Sequence, residues 1–349
     1  MKRAALLCTF AIYFMYGCEA APVVVSPQPT EQQRELVRQV LAGRPVDLSP
    51  QQLIKQLEPF KITPAQPRKG FARDAELAMA QLYEQTGQLD RTRAIYLAAI
   101  DEHRRTGSAL SLPLANALYR YAEMEADAGR LQEAVTLVDE SVKIHQRRDR
   151  FGNEQQLAVM NLAALLRTYL GQDQQALAIH GKAIKLHPAM SAGYAARAMT
   201  HTLNQRYEQA QVDLDSAFGF KQTPMNNEVN IFWFVQLRSQ GPAIAHISLG
   251  QVVGQLYKKE RAGLDAQITY YLLGEISQAD LLAQANAPSI HLQRRDRCAV
   301  WFYIAMKHES ENDLAKAREY YTHCIAKNTM ASPYYYLAQA ASIQLTPSP

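Results

Sequence analysis

The sequence predicts an all-α protein, a solenoid of antiparallel helix pairs. Three observations predict it. Small residues recur twelve apart: Ala80 and Thr92, Ala122 and Ala134, Ala164 and Ala176, Ala198 and Ala210, Ala305 and Ala317. Seven residues past the first member of each pair stand Gly87, Gly129 and Gly171, with Gln205 and Asn312 in the other two. A residue there can end a helix in the left-handed conformation, which glycine adopts most readily. A second small column, Ala99, Ser141, Ala183, Ala217 and Cys324, follows seven residues after each second member. The physical cause is close approach. Two antiparallel helices touch where neither carries bulk, and long side chains fill the space on either side.

At the N-terminus, "MKRAALLCTFAIYFMYGCEAAP" has a basic start and an apolar run from Ala4 to Tyr16, followed by small residues. This is the design of a secretory signal, and the run is short for a membrane span. Residues 1–20 are therefore expected to direct export. Gly17-Cys18 resembles the end of a bacterial lipobox, in which the cysteine becomes the lipidated first residue, although Met15 and Tyr16 depart from the usual Leu and Ala or Ser. Lipidation of Cys18, cleavage after Ala20 and a retained anchor all stay open. If Cys18 is lipidated, Glu19 implies outer-membrane sorting, by resemblance to enterobacterial lipoproteins. The formal charge is +4, and two of those charges are Lys2 and Arg3. So balanced a chain does not suggest nucleic acid as a partner.

Residues 21–70 read as a proline-rich tether with short helices. Thr30 with Gln33, and Ser49 with Gln52, fit capping boxes, and Pro50 suits a first helical position. Leu36, Val37, Val40 and Leu41 form one apolar stripe, and Leu53, Ile54 and Leu57 another. Such helices cover an exposed end of a solenoid or exchange between subunits, which makes a homodimer an expectation. The array proper covers 71–218. An irregular helix pair at 219–263 has Pro242 starting its second helix, and Trp233 sits in an apolar run that reads as core or as a partner-binding patch. Residues 264–330 hold a degenerate pair, with Ile268 and Ala279 eleven apart, and then a strong one. Residues 331–349 read as a capping helix and tail.

These columns resemble the tetratricopeptide repeat (TPR), with Tyr194 and Trp301 at the family's large aromatic position and Pro188 as a closing proline. Ala164 to Ala198 spans 34 residues, the standard TPR period, while Ala80 to Ala122 and Ala122 to Ala164 each span 42. A strong repeat with "QRYEQAQVDLDSAF", a Trp-containing irregular pair, "YYLLGEISQADLLAQA" and a final strong repeat together resemble NlpI-type lipoproteins of Gram-negative envelopes, over about residues 190–345. That resemblance implies a non-catalytic periplasmic adaptor, dimeric in that family, holding peptidoglycan hydrolases and a processing protease. The alternatives are an outer-membrane assembly factor, such as a pilotin for a secretin or pilus, and an enzyme whose site has no recognised motif. Affinity for protein partners is expected in the first two cases.

The chain has no H-E-x-x-H, G-x-S-x-G, S-x-x-K or P-loop motif. No catalytic residue, metal or cofactor is expected. "QRRDR" occurs at 146–150 and 293–297 in different phases of the repeat, which suggests charged connectors. In a TPR hairpin, facing positions have indices of constant sum. The small pair at repeat positions 8 and 20 sets that sum at 28, and Cys298 and Cys324 fall at positions 1 and 27. They should face each other, and an oxidising compartment would allow a disulfide. The family's concave columns give Asn116, Tyr119, Arg120, Glu123, Asn161, Leu165, Tyr169, Met199, Phe302, Tyr303 and Met306 as candidate partner-binding residues. The Lys and Asn set with which chaperone-binding TPRs hold a terminal carboxylate is missing from them.

Overall fold

The computed structural model describes residues 28–41, 46–60, 70–105, 112–148, 154–220, 226–256, 263–286, 294–326 and 329–345. The export signal, Cys18 and residues 21–27 of the tether lie outside these. Two short helices come first, α1 (Glu31–Leu41) and α2 (Pro50–Leu57). Antiparallel pairs follow: α3 (Gly70–Gln85) with α4 (Leu89–Arg105), α5 (Leu112–Asp127) with α6 (Leu131–Arg148), and α7 (Glu154–Tyr169) with α8 (Asp173–Leu186). Next come α9 (Ser191–Leu203) with α10 (Tyr207–Phe218), α11 (Asn226–Gln240) with α12 (Pro242–Leu256), and α13 (Leu264–Leu273) with α14 (Gln278–Asn286). The last pair is α15 (Arg294–Ser310) with α16 (Leu314–Ala326), and α17 (Pro333–Gln344) ends the array. The architecture is an all-α TPR-type solenoid. No helix among the described residues is long and apolar enough to cross a membrane.

Six pairs turn in the same way. The left-handed residue has φ +77° at Gly87, +79° at Gly129, +71° at Gly171, +57° at Gln205, +79° at Gly274 and +63° at Asn312. In each, the next amide donates back across the helix end, as in Gln88 to Tyr83 (2.8 Å), Arg130 to Glu125 (2.9 Å) and Asp313 to His308 (2.9 Å). This Schellman closure satisfies carbonyls that the helix end would otherwise strand. Three residues into the second helix stands the small residue that meets its partner. Ala122, Ala134, Ala164, Ala176, Ala198, Ala210, Ala305 and Ala317 are all fully buried. Where threonine replaces alanine, the Thr92 hydroxyl donates to the Ala80 carbonyl across the pair at 3.3 Å.

The degenerate pair differs from its sequence reading. Gly274 makes the shared turn, but α14 starts two residues late behind a Ser277–Asp280 cap. Leu281 is buried in the place of the small residue, and Ala279 is exposed. The Ile268–Ala279 alignment is therefore replaced, because the longer connector shifts the register of the second helix.

Both expected capping boxes are present, at Thr30 and Ser49. The apolar stripes of α1 and α2 pack on Ala75, Ala78, Met79, Leu82 and Tyr83 of α3 in the same chain. They cover the open end of the first pair, so Leu36, Val37, Val40, Leu53 and Leu57 of the stripes that suggested a dimer are already buried, with Leu41 and Ile54 partly so. Trp233 and its neighbours in α11 are core as well. Ion pairs link the helices: Arg167 of α7 to Asp139 of α6 at 2.7 Å, Arg197 of α9 to the buried Asp213 of α10, and Arg238 of α11 to Glu309 of α15 at 2.6 Å. Glu125, also buried, lies between Arg93 (3.4 Å) and Arg130.

Two predictions follow from turns and burial. Gln205→Gly should stabilise the chain and Gly171→Ala should destabilise it, each by about 1 kcal/mol, because only glycine takes positive φ without a Cβ penalty. Urea unfolding of the two variants checks this. The second concerns His180, fully buried, with Nε2 3.0 Å from the Thr200 hydroxyl. Burial, then the Arg197 and His201 charges, pushes its pKa down to about 3. The unfolded chain binds the proton near pH 6.5 while the folded chain refuses it, so this stabilisation is present at neutral pH and declines as pH falls below about 6.5. Between pH 7.5 and 5 the wild type should lose about 1–2 kcal/mol more than His180→Gln does, measured by unfolding at each pH.

Candidate functional site: the inner groove

The first helix of each pair faces the inside of the solenoid. A groove of about 400 Å³ lies between the end of α1 and the facing sides of α3, α5 and α7. Its apolar lining includes Leu41, Leu77, Ala117 and Val159, and its polar lining includes Gln81, Asn116, Arg120 and Gln155. Asn116 and Ala158 are exposed at its rim. Three of the predicted residues, Asn116, Tyr119 and Arg120, line it from successive turns of α5. The Arg120 guanidinium pairs with Glu123 at 3.0 Å and lies 5.5 Å from the centre of the Tyr119 ring, whose hydroxyl donates to the same carboxylate at 3.1 Å. Glu123 itself is 4% exposed, so it positions its neighbours and offers no surface. At the mouth, Arg73 pairs with Asp74 at 3.1 Å. The charges lining the groove are thus engaged with one another.

Tyr96 of α4 also lines this groove. It is buried in one apolar cluster with Ala80 and Ala117, and its ring packs 6.4 Å from that of Tyr121. The side chain is 1% exposed, and its hydroxyl has no hydrogen-bond partner. Burial, and then the Glu84 charge, raises its pKa, so the phenol keeps its proton and is a neutral donor. A buried hydroxyl without a partner loses a water bond and gains nothing in return.

Farther along, the inner surface is filled by the chain itself. α17 packs on α15 and α16 and reaches α9. The Tyr336 ring stacks on Tyr169 at 4.1 Å, and the Tyr169 hydroxyl donates to the Ala331 carbonyl at 3.2 Å. The Ala331 amide donates to Asp127 at 3.0 Å, and the Ala331 side chain is buried among residues of α5–α7. Met330 presses on the second turn so closely that a Cβ on Gly129 would sit 2.9 Å from its sulfur. The C-terminal helix thus packs on the last pair, as a capping helix would, and with the segment ahead of it also reaches the second and third pairs.

The same packing corrects several candidate binding residues. Met199, Phe302, Tyr303 and Met306 are at most 4% exposed. Phe302 and Tyr303 each pack 5.4 Å from Tyr334 of α17, and Tyr303 also meets Trp233. Met306 lies under the Tyr321 hydroxyl. Leu165 is partly buried against the core beneath α17, and Asn161 ties α7 to α9 by donating to the Ala192 carbonyl at 3.3 Å. Cys298 and Cys324 are joined by a disulfide with Cα atoms 4.5 Å apart. Asp74, Leu77 and Gln81 line the groove without having been named as candidates. They occupy the same columns of the first repeat, where the pattern could have been read. Tyr96 sits on a second helix, and the concave columns give no signal for it.

No protein-family model matches the chain, and no curated protein does. Among solved structures, BtubC (BKLC) from P. vanneervenii aligns with a TM-score of 0.44 and 12% identity, over 65% of this chain and 94% of that one. PilF of Pseudomonas aeruginosa aligns at 0.42 and 18%, over 68% and 96%. A tetratricopeptide repeat protein from Parabacteroides merdae aligns at 0.42 and 12%, over 77% and 100%.

Asp127→Ala should free the segment ahead of α17. It strands the Ala331 amide and should destabilise the chain by about 1–3 kcal/mol, with faster amide exchange at Ala331 as the local readout.

Proposed function

We propose that this chain is a protein-binding scaffold and that its ligand lies in the groove between α1, α3, α5 and α7. One observation carries the reading: an open cleft with an apolar floor and a few polar groups at its rim, on an inner surface that α17 fills elsewhere. Apolar clefts with few convergent polar groups are where proteins hold ligands. Aromatic and Arg side chains such as Tyr119 and Arg120 often dominate protein contacts. The basic, apolar N-terminus favours an exported protein in a Gram-negative envelope, and lipidation of Cys18 would anchor it there. The resemblance of residues 190–345 to NlpI-type lipoproteins favours peptidoglycan hydrolases and a processing protease as partners.

The variant that tests the groove must leave the fold intact. Replacing Tyr119 and Arg120 together would remove two partners of the buried Glu123 carboxylate and cost stability. Ala158→Trp fills the groove from an exposed rim position. It should weaken capture of envelope partners by about tenfold or more, equivalent to about 1.4 kcal/mol, with an unchanged melting temperature. Affinity capture from envelope extract, quantified for both proteins, gives the answer. Undiminished capture by Ala158→Trp would remove the groove as the site. Secretin or pilus subunits among the groove-dependent partners would favour the assembly-factor reading.

A further inference from the structure

The surface of α12 differs from that of its counterparts. The second helices α4, α6, α8, α10 and α16 each carry three or more charged residues. α12, "PAIAHISLGQVVGQL", carries none over 15 residues. One side packs inward, with Ala245 and Leu249 fully buried and Val252 and Val253 against the core. At about 3.6 residues per turn, Ala243, Ile244, Ile247, Gly250 and Gly254 share the opposite side, and all five are exposed. Ile244 is 46% exposed and Ile247 57%. Contiguous exposed apolar side chains with no charge among them mark a contact surface. The glycines narrow the kind of contact. A glycine inside a helix weakens it relative to alanine, and a Cβ on Gly250 or Gly254 would meet nothing within 4 Å. Packing within the chain gives no reason for them, whereas the close approach of another backbone does.

We propose that α12 pairs with α12 of a second copy of this chain, antiparallel about a two-fold axis through the middle of the helix. In such an interface residue i meets residue j, and j meets i. With the axis near Ser248 and Leu249, Ile247 of one copy lies on Gly250 of the other, and Ile244 on Gly254. Each exposed isoleucine then has a hollow at the position the symmetry gives it. A two-fold axis also brings every nearby charge close to its own copy, a repulsion that the uncharged α12 avoids. The dimer expected from the sequence thus moves from α1 and α2, whose stripes pack on α3, to α12. α12 lines no part of the inner groove, so this pairing and the groove reading stand or fall separately. One helix is small beside the roughly 800 Å² per partner of a standard interface, so dissociation on the order of micromolar is expected.

Sedimentation velocity of the purified protein from about 1 to 200 μM tests the pairing, and wild type should pass from monomer to dimer across that range. Ile247→Glu sets two carboxylates beside the axis and should weaken association about tenfold or more. Gly250→Leu is the sharper variant. In the monomer its side chain has open space and favours the helix, so the melting temperature at low concentration should be unchanged or raised. In the dimer it fills the hollow that receives Ile247, and association should weaken about tenfold or more. A merely adhesive apolar patch would associate more tightly with the added leucine. Wild type that stays monomeric throughout would overturn the proposal. So would a dimer that survives Ile247→Glu, or a Gly250→Leu variant that associates as tightly as wild type. A chain that is monomeric in solution and sediments with phosphatidylcholine vesicles only while Ile247 is intact would make this face a membrane contact and overturn the pairing as well.

Discussion

Everything in this fold depends on two helices meeting where neither has bulk. An alanine against an alanine twelve residues away brings the backbones close, and a left-handed residue between them reverses the chain within that distance. Because the contact is short, the residues beside it must be long, and they knit each pair to the next. The first helices are left lining the inside. The groove is thus a by-product of the same spacing.

Polar groups fix the layers that apolar contacts stack. Arg167 with Asp139, Arg197 with Asp213 and Arg238 with Glu309 each join helices of different pairs or opposite halves of one pair. Removing one member of such a pair strands the other, which costs more than the pair contributes when whole. His180, Thr200 and Thr168 make a neutral counterpart across α7, α8 and α9. These links set the angle between neighbours and so the shape of the inner surface.

The local parts of the structure were legible in the sequence. A turn glycine and its small partners lie within one hairpin, so their spacing survives in the chain as written, and even Gln205 and Asn312 keep the geometry of the glycines they replace. The facing rule for one hairpin also brought Cys298 opposite Cys324. Column reading placed Asn116, Tyr119 and Arg120 at the groove. It misjudged Phe302, Tyr303 and Met306, which have the same periodicity as groove residues but lie under α17. No local pattern tells an inner face that is open from one that a later segment covers. The register shift in α14 was hidden because the glycine matched while the connector length did not.

The contact of Ala331 with Asp127 and Tyr169 spans 204 and 162 residues of chain. An open solenoid grows or shrinks by whole repeats, since each unit touches only its neighbours. Here the tail bears on the second and third pairs, so the number of units between them is fixed by the distance the tail must bridge. Duplicating or deleting a repeat anywhere from α9 to α16 would carry Ala331 away from its clamp. Only units ahead of α5 could be gained or lost without moving that clamp.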